Sequence, residues 1–267
     1  MQESKNENEI RLVASDLDGT LLQYGKKKIE GEIFDQIRAL AAHGIRFCPA
    51  SGRQYTSLRA LFAPVAGDCV FLCENGGVVY RGEKVIAKTP MPRALAEKIA
   101  WDLWDGSDGK GEVMLSGENT AYLMSRGRGM EERIRFIGNR YRLIQSPAEV
   151  PEEIVKVSVY LSEGVGPFVE RFVPKWSCAN AAVAGPFWID TTLSNKGTGI
   201  AAVCRALGIR PAQVMAFGDN YNDVAMLDLV GMPYIMQSAA APLRVRYPRQ
   251  TARPEDALRA FLAGLDG

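Results

Sequence analysis

Two pairs of aspartates are the residues best suited to chemistry. Asp16 and Asp18 stand two residues apart in DLDGT, and Asp219 and Asp223 stand in GDNYND late in the chain. Carboxylates gathered in one place repel one another unless a cation is bound. Oxygen ligands with no histidine or cysteine beside them favour a hard ion, and so small a set suits Mg²⁺ with several retained waters. Zinc is not expected, since the only histidine, His43, falls at a predicted helix end.

Hydrogen-bond donors accompany these acids. The Ser51 hydroxyl, the amides around Gly52 and the Lys196 ammonium can hold the oxygens of a phosphoryl group. Carboxylates, Mg²⁺, a hydroxyl and an ammonium together can neutralise the charge of that group during its transfer. This inventory predicts phosphoryl transfer.

The elements that must position these residues are short apolar strands alternating with helices. Predicted strands cover residues 11–16, 45–50, 69–73, 214–217 and 233–236, and predicted helices cover residues 31–43, 53–62, 197–207 and 223–230. This alternation predicts βαβ units and a Rossmann-like parallel sheet. Asp16, Ser51 and Gly218 each fall at or just beyond a strand end. Because ligands bind at the carboxyl ends of such strands, the three polar clusters are expected to converge at one edge.

The pattern changes between residues 83 and 190. Predicted helices 93–105 and 130–140 lie among predicted hairpin-like strands 113–115, 121–125, 154–161 and 178–183. Trp101 and Trp104, on the first of these helices, are expected to pack in its core. The expected fold is therefore α/β, with a parallel-sheet core of residues 1–82 and 191–267 and an inserted α+β cap domain of residues 83–190.

Composition excludes several classes of function. Of 267 residues 47% are hydrophobic, and 32 Lys and Arg against 31 Asp and Glu leave a net charge of +1. This balance argues against a nucleic-acid binder and a polybasic membrane anchor. The N-terminus lacks the apolar core of a signal peptide, and no apolar run is long enough for a membrane helix. With five cysteines and no CxxC pair, buried free thiols in a reducing cytoplasm are expected.

The order of four motifs resembles that of the haloacid dehalogenase-like superfamily. DLDGT covers residues 16–20, SGR covers residues 51–53, Lys196 stands in NKG, and GDNYND covers residues 218–223. The insertion between SGR and the lysine, and the form of the last motif, are similar to the Cof-type phosphatases with a type IIB cap. The resemblance covers nearly the whole chain. It implies a Mg²⁺-dependent phosphatase acting on a small phosphorylated metabolite, by analogy a sugar phosphate, with a cap that closes over the core.

The resemblance also implies a role for each motif residue. It makes Asp16 the nucleophile that forms an aspartyl-phosphate, and Asp18 first the general acid and then the base. The residues expected to hold phosphoryl oxygens are Ser51, Gly52, Lys196 and Asn222. The groups expected to bind Mg²⁺ are Asp16, the Asp18 backbone carbonyl and Asp219, with Asp223 in support directly or through water.

Structural alternatives stay open for these residues. Asp18 could be only a turn residue, and Asp16 only a cap. Ser51 could cap the following helix, Lys196 could be solvated at a helix start, and Asp223 could merely supply charge to a helix N-terminus. Residues 75–77 (NGG) are expected to form a plain turn, and the four arginines between residues 244 and 253 a solvated face.

Other functions stay open as well. A phosphomutase would use the same Asp16 and Asp18, and a receiver-like signalling module also carries a phosphorylatable aspartate, Mg²⁺ and a lysine on a parallel sheet. A catalytically weak binding protein could keep the motifs. The chain departs from the Cof-type pattern at residues 236–239, which read MQSA where the family commonly reads MGNA, and in the Arg- and Pro-rich segment that follows. Any substrate contact made by that loop is therefore left open.

Overall fold

A computed structural model of the chain describes residues 9–23, 26, 28–29 and 31–265. The chain forms two compact units, of which the first comprises Met1–Ala87 and Asn195–Gly267 and the second comprises Lys88–Ser194. The boundaries expected from the sequence, after residues 82 and 190, lie a few residues earlier. Strands and helices are numbered below along the whole chain.

The first unit is built on a sheet that is eight strands wide within the described residues. Its strands are β1 Leu12–Asp16, β2 Arg46–Ala50, β3 Val70–Cys73, β4 Val78–Arg81, β5 Lys84–Lys88, β12 Val214–Gly218, β13 Met232–Met236 and β14 Gln250–Thr251. Their order is β14-β13-β12-β1-β2-β3-β4-β5, parallel from β14 to β3 and antiparallel between β3 and β4. The expected parallel α/β core is confirmed.

Helices cover both faces of this sheet, and the central strand β1 is accordingly buried along its length. The helices are α1 Glu32–Ala42, α2 Tyr55–Leu61, α6 Lys196–Leu207, α7 Val224–Leu227, α8 Ala241–Arg246 and α9 Pro254–Ala263. Every residue of β1 is buried, as in parallel strands covered on both faces. Leu12 and Ala14 belong to the same apolar cluster as Ile200 and Val203 of α6. Helix α6 ends at Gly208, whose φ of +66° suits glycine.

The C-terminal part of this unit departs most from the sequence prediction. Helix α7 begins one residue later and ends three residues earlier than the predicted residues 223–230, and residues 221–223 form a 3₁₀ turn before it. Strand β14 and helices α8 and α9 of this part were not predicted. Strands β4 and β5, earlier in the chain, were not predicted either. The arginines at 244, 246 and 249 are exposed, as expected, whereas Arg253 is half-buried and pairs with Glu32 and Glu255.

The second unit has a sheet of its own. Its strands are β6 Gly111–Ser116, β7 Ala121–Met124, β8 Tyr141–Leu143, β9 Lys156–Leu161, β10 Ala182–Val183 and β11 Trp188–Thr192, in the order β10-β11-β9-β6-β7-β8. All neighbours are antiparallel except the β7–β8 pair. Its helices are α3 Arg93–Gly106, α4 Met130–Phe136 and α5 Gly166–Phe172. Ile99 and Leu103 of α3 share a core with Val157 and Val159 of β9. The expected α+β organisation is therefore present.

Several predictions for the second unit were wrong in detail. The strand expected at residues 178–183 is a 3₁₀ turn, Ser177–Ala179, followed by the two-residue β10. Helix α4 ends at Phe136 and not at residue 140, since Gly138 takes a left-handed φ of +77°. Trp104 packs against the core as expected, but Trp101 is 40% exposed.

The remaining general expectations concern cysteines, the histidine and membrane helices. All five cysteines are free, and all are buried except Cys178, which is exposed contrary to expectation. His43 lies at the C-terminal end of α1, as predicted, and is exposed. Among the described residues, no helix combines the length and apolar character required to span a bilayer.

Candidate active site

The polar clusters predicted from the sequence lie together at one edge of the first sheet. Strand β1 lies between β12 and β2, parallel to both. Asp16 is the last residue of β1 and stands opposite Ala50, so Ser51 emerges beside it at the same edge. Gly218 ends β12, and the GDNYND segment continues from there. Parallel register thus brings chain segments that are distant in sequence to one place.

Three carboxylates converge at this edge. Asp16, Asp219 and Asp223 each offer an oxygen, and these oxygens all lie within 4.8 Å of one another. Asp16 is 6% exposed, and its Oδ2 is buried with no hydrogen-bond partner. The Thr20 hydroxyl donates to Asp219 Oδ1 at 3.2 Å. We call Asp16, Asp219 and Asp223 the acidic triad.

Lys196 is the cation placed against this triad. It is the first residue of α6, preceded by Asn195, whose side chain accepts from the Thr198 amide in a capping box. The Lys196 side chain is 1% exposed, and its Nζ donates to Asp16 Oδ1 and, at 2.6 Å, to Asp223 Oδ1. The alternative of a solvated lysine at a helix start is wrong.

Burial and crowding change the proton affinities of these groups. Burial raises the pKa of Asp16 well above its usual range; Lys196 acts against this rise and Asp223 adds to it. Burial and the neighbouring Asp223 also raise the pKa of Asp219. Although burial disfavours the ammonium, Asp16 and Asp223 raise the pKa of Lys196. When all three carboxyls are ionised, they outnumber the one ammonium and leave an excess of negative charge at this sheet edge.

The composition of the triad fits a bound Mg²⁺. Its donors are oxygen atoms only, as hard cations require, and a set of three leaves room for water ligands. The buried, unpartnered Oδ2 of Asp16 is a group for which a cation would be the missing partner. A bound cation would also offset the excess of negative charge of the ionised triad.

The GDNYND turn holds Asp223 in position. Asp223 Oδ2 accepts from the backbone amides of Asp219 at 3.0 Å and Asn220 at 3.1 Å, and the residue is fully buried. A Cβ at Gly218 would lie 2.5 Å from Asp223 Cβ, so only glycine permits this close approach. Asp223 thus accepts amides at a helix start, as in the structural alternative, and it also contacts Lys196, so the two roles coexist. Asn222, in the same turn, is exposed.

The carboxylate of Asp18 lies apart from the triad and pairs with Arg53. The Arg53 Nε donates to Asp18 Oδ2 at 3.0 Å and its Nη2 donates to Oδ1 at 2.5 Å. Asp18 also lies in a tight turn, in which the amides of Gly19 and Leu22 bond Leu22 and Leu17 carbonyls. Arg53 had no predicted role beyond its place in the SGR motif.

Ser51 and Gly52 form the loop after β2. Ser51 is 2% exposed, and its hydroxyl accepts from the Arg53 amide at 3.2 Å. Helix α2 begins later, with Gln54 as its cap residue, so Ser51 does not cap that helix. An added Cβ at Gly52 would lie 3.1 Å from Asn75 Nδ2. The expected turn at residues 75–77 is present as part of a 3₁₀ turn, Glu74–Gly76.

Comparison with known proteins adds to this geometry. The chain matches the family of haloacid dehalogenase-like hydrolases over residues 13–256. The chain belongs to this family. It is 28% identical over 239 residues to the 5-amino-6-(5-phospho-D-ribitylamino)uracil phosphatase YbjI of Escherichia coli K12, covering 87% of each chain. It is 26% identical to the HMP-PP phosphatase of Serratia proteamaculans, covering 90% of this chain and 88% of that one.

The solved structures agree on the fold of this haloacid dehalogenase-like hydrolase. The subclass IIB sugar phosphatase BT4131 superposes with a TM-score of 0.76 at 20% identity, covering 94% of this chain and 98% of that one. The family match confirms the resemblance to the haloacid dehalogenase-like superfamily, and the curated relatives, which are named phosphatases, agree with the expected enzyme class, a phosphoric monoester hydrolase. Because the family match includes the inserted unit, a receiver-like module does not account for the chain.

Proposed function

We propose that this hydrolase is a Mg²⁺-dependent phosphatase that works through an aspartyl-phosphate on Asp16. The observation that carries the proposal is the buried contact of Lys196 with Asp16 and Asp223, beside the unpartnered Asp16 Oδ2. A structural ion pair would not need a third acid within reach, nor would it leave a carboxylate oxygen buried without a partner.

The acidic triad is the set of side chains that would hold Mg²⁺, with the Asp18 backbone carbonyl as a further ligand. When bound, Mg²⁺ offsets the charge of the carboxylates and of the phosphoryl group in transfer. Asp223 is the least mobile member, because its Oδ2 already accepts two backbone amides. We therefore assign Asp223 a supporting role, through water, in preference to direct binding of Mg²⁺.

In the first half-reaction, an Asp16 carboxylate oxygen attacks phosphorus. The bond from Asp16 to phosphorus forms, the bond from phosphorus to the leaving oxygen breaks, and Asp18 supplies the proton that the leaving alkoxide needs. In the second, water attacks the same phosphorus while Asp18 accepts its proton. The Asp16–phosphorus bond breaks, and inorganic phosphate and free Asp16 result.

The phosphoryl oxygens are held during both steps by donors at the same sheet edge. We assign this role to Ser51, the Gly52 amide, Lys196 and Asn222. Ser51 and Lys196 are buried and fixed in place, whereas Asn222 is exposed. Fixed donors stabilise charge that develops in the transition state without reorganising.

The substrate class we propose is a small phosphorylated metabolite, with a sugar phosphate as the first expectation. Two observations support this class. The curated relatives are named as phosphatases of phosphorylated small molecules, and the chain shares its fold with a sugar phosphatase. We assign the choice of leaving group to the inserted unit, residues 83–190 in the sequence prediction. The free cysteines support the expected reducing compartment, the cytoplasm.

Phosphate release from p-nitrophenyl phosphate and from a panel of phosphorylated metabolites tests the proposal. We expect turnover with Mg²⁺, its loss with EDTA, its return with excess Mg²⁺, and its absence in Asp16→Asn. Turnover that survives EDTA or Asp16→Asn would contradict the proposed mechanism. Accumulation of a phosphorylated isomer without phosphate release would favour a phosphomutase, and tight binding without turnover would favour a binding protein.

A further inference from the structure

We propose that Arg53 is a positioning residue that fixes the carboxylate of Asp18 relative to the loop after β2, in which Ser51 and Gly52 would hold the phosphoryl group. This inference rests on the proposed function, in which Asp18 moves the protons. It assigns to Arg53 an action through Asp18 and no contact with the substrate.

The contact between the two side chains is a two-point fork. Arg53 Nε and Nη2 each donate to a different oxygen of Asp18, at 3.0 and 2.5 Å. A planar guanidinium that meets both oxygens fixes the plane of the carboxylate as well as its position. A single hydrogen bond or a lysine would leave that plane free to turn.

The Asp18 side chain needs such a restraint. It is 44% exposed, and it lies in a turn beyond the end of β1, with Gly19 at a φ of +101° directly after it. An exposed carboxylate samples several rotamers, whereas proton transfer requires it within hydrogen-bond reach of the leaving oxygen and of the attacking water. Arg53, whose side chain is 22% exposed, is the more firmly packed partner.

Arg53 is itself tied to the loop that carries Ser51. Its amide donates to Ser51 Oγ at 3.2 Å, and its carbonyl accepts from the Glu74 amide at 3.1 Å. The Asn75 amide donates to the Ser51 carbonyl at 2.9 Å. Glu74 and Asn75 have φ values of +50° and +54°, which non-glycine residues adopt only where the surroundings enforce them.

The consequence is a rigid link among three strand ends. The turn after β3 holds the turn after β2, and the Arg53 fork then holds Asp18 after β1. The proton-transferring group and the Ser51 hydroxyl are thereby kept in one fixed relation. A displacement of about 1 Å in such a group costs on the order of 10²-fold in rate.

The alternative is that Arg53 binds the phosphoryl group directly, and a double-mutant cycle separates the two. Arg53→Ala, Asp18→Ala and the double variant are compared with p-nitrophenyl phosphate and with phenyl phosphate at saturating Mg²⁺. The matched control is Arg38→Ala, which removes another Arg–Asp pair of the same unit, exposed on α1 and joined at 2.7 Å. Thermal unfolding verifies the fold of each variant. Because the acidic triad is unchanged, Mg²⁺ should raise the Tm of each variant as it does that of the wild type.

We expect Arg53→Ala to lower kcat on the order of 10²-fold with little change in KM. The double variant should match Asp18→Ala within roughly twofold, because Arg53 has nothing to position once Asp18 is gone. Arg53→Lys, which keeps the charge and lacks the fork, should lose nearly as much as Arg53→Ala. Arg38→Ala should retain the wild-type rate.

Three outcomes would overturn the inference while the proposed function stands. They are a further loss of about tenfold or more with a raised KM in the double variant, a wild-type rate in Arg53→Ala, and full activity in Arg53→Lys. Absence of turnover in the wild-type enzyme would overturn the proposed function, and this inference with it.

Discussion

Asp16 and Asp18, separated by one residue, occupy opposite electrostatic surroundings. Asp16 is buried against two other acids and the Lys196 ammonium, whereas Asp18 is half-exposed on the Arg53 guanidinium. A buried carboxylate next to a cation site suits attack on phosphorus, and an accessible one suits proton exchange with a leaving group and water. The different environments of these two identical side chains thus suit the different roles proposed for them.

The substitution Asp16→Asn should separate activity from stability. An amide is a poor nucleophile and a weak Mg²⁺ ligand, so kcat should fall by roughly 10⁴–10⁶-fold. The pKa of Asp16 is raised by burial, so its ionised form destabilises the metal-free fold, and Lys196 keeps Asp223 as a partner in the variant. Stability in EDTA should therefore hold or rise. Steady-state rates and urea unfolding measure the two effects.

The control for this variant is Asp35→Asn on α1, whose side chain is 81% exposed. It should leave both rate and stability unchanged. Substantial turnover by pure Asp16→Asn protein would remove Asp16 from the role of nucleophile.

Asp18→Asn should slow the two half-reactions unequally. Nitrophenolate leaves without a proton, so the phosphoenzyme should still form from p-nitrophenyl phosphate, whereas its hydrolysis needs Asp18 as base. General acid–base catalysis is worth about 10²–10⁴-fold. Rapid-quench kinetics should therefore show a burst of nitrophenol limited by the enzyme concentration, followed by slow turnover. A sugar phosphate, whose alkoxide needs the acid, should show no burst.

The comparison for Asp18→Asn is the wild-type enzyme with both substrates at saturating Mg²⁺. Near wild-type rates on both substrates in the variant would make Asp18 a turn residue only. A burst with both substrates would remove its role as the general acid while leaving its role as the base.

The composition of the candidate site was largely predictable at the residue scale, and its contacts were not. Strand ends in a parallel sheet face one edge, so the convergence of Asp16, Ser51 and the GDNYND segment follows from topology. The Arg53–Asp18 fork depends on side-chain rotamers in two loops 35 residues apart. The hydrophobic periodicity of the sequence does not predict such rotamers. The usable signal was that SGR ends in an arginine beside a cluster of acids.

At the scale of elements, short segments were the weak point of the sequence prediction. Central strands such as β1 were predicted to within a residue, because an unbroken apolar run between polar turns has few other interpretations. The segment at 178–183 was predicted as one strand, yet it begins in a turn and only its last two residues form β10, since the local pattern does not reveal which tertiary partners are present. Helix α4 is short and is stabilised from outside its own sequence. Its N-terminal amide, from Met130, donates to Glu112 of β6 at 2.9 Å.

Glu112→Gln should destabilise the second unit. The carboxylate is fully buried and accepts from the Ser125 hydroxyl at 2.6 Å and the Arg126 amide at 2.8 Å, besides the Met130 amide. The NH₂ group of a glutamine there would meet hydrogen-bond donors and could accept from none of them. The expected loss in the free energy of unfolding is about 1–3 kcal/mol. Chemical denaturation should show this loss, whereas Glu132→Gln on exposed α4 surface should show none. Equal stability of the two variants would contradict the anchoring role.

The same contact makes the second unit sensitive to acid. Burial acts to raise the pKa of Glu112, but the bonds from Ser125, Met130 and Arg126 outweigh it and lower the pKa. The carboxylate then contributes stability above its unfolded pKa of about 4.3, and that contribution is lost as the pH falls through the lower folded value. The difference in stability between wild type and Glu112→Gln should accordingly shrink in acid.

At the scale of the whole molecule, charge is balanced globally and unbalanced locally. The net charge is +1, yet the acidic triad, of which Asp16 and Asp223 are buried and Asp219 is half-buried, faces the single ammonium of Lys196. Asp16 and Asp219 have raised pKa values, so the folded protein holds protons there that the unfolded chain releases above about pH 3.9. The contribution of Asp16 and Asp219 to the stability of the metal-free first unit should therefore fall as the pH rises from about 3.9 towards their folded pKa values.

Mg²⁺ should reverse this loss, and by more at higher pH. A cation that binds only the folded triad stabilises it by about 2.7 kcal/mol at a hundred times its Kd, which raises the Tm by roughly 5–10 °C. Because Mg²⁺ competes with the protons on Asp16 and Asp219, the rise should be larger at about pH 7.5 than at about pH 5. Differential scanning calorimetry of the wild type and Asp219→Asn, with Mg²⁺ and with EDTA, measures it. Since the triad lies in the first unit, any separate transition of the second unit should not move. An equal shift in Asp219→Asn, or one that grows in acid, would mean that Mg²⁺ binds elsewhere.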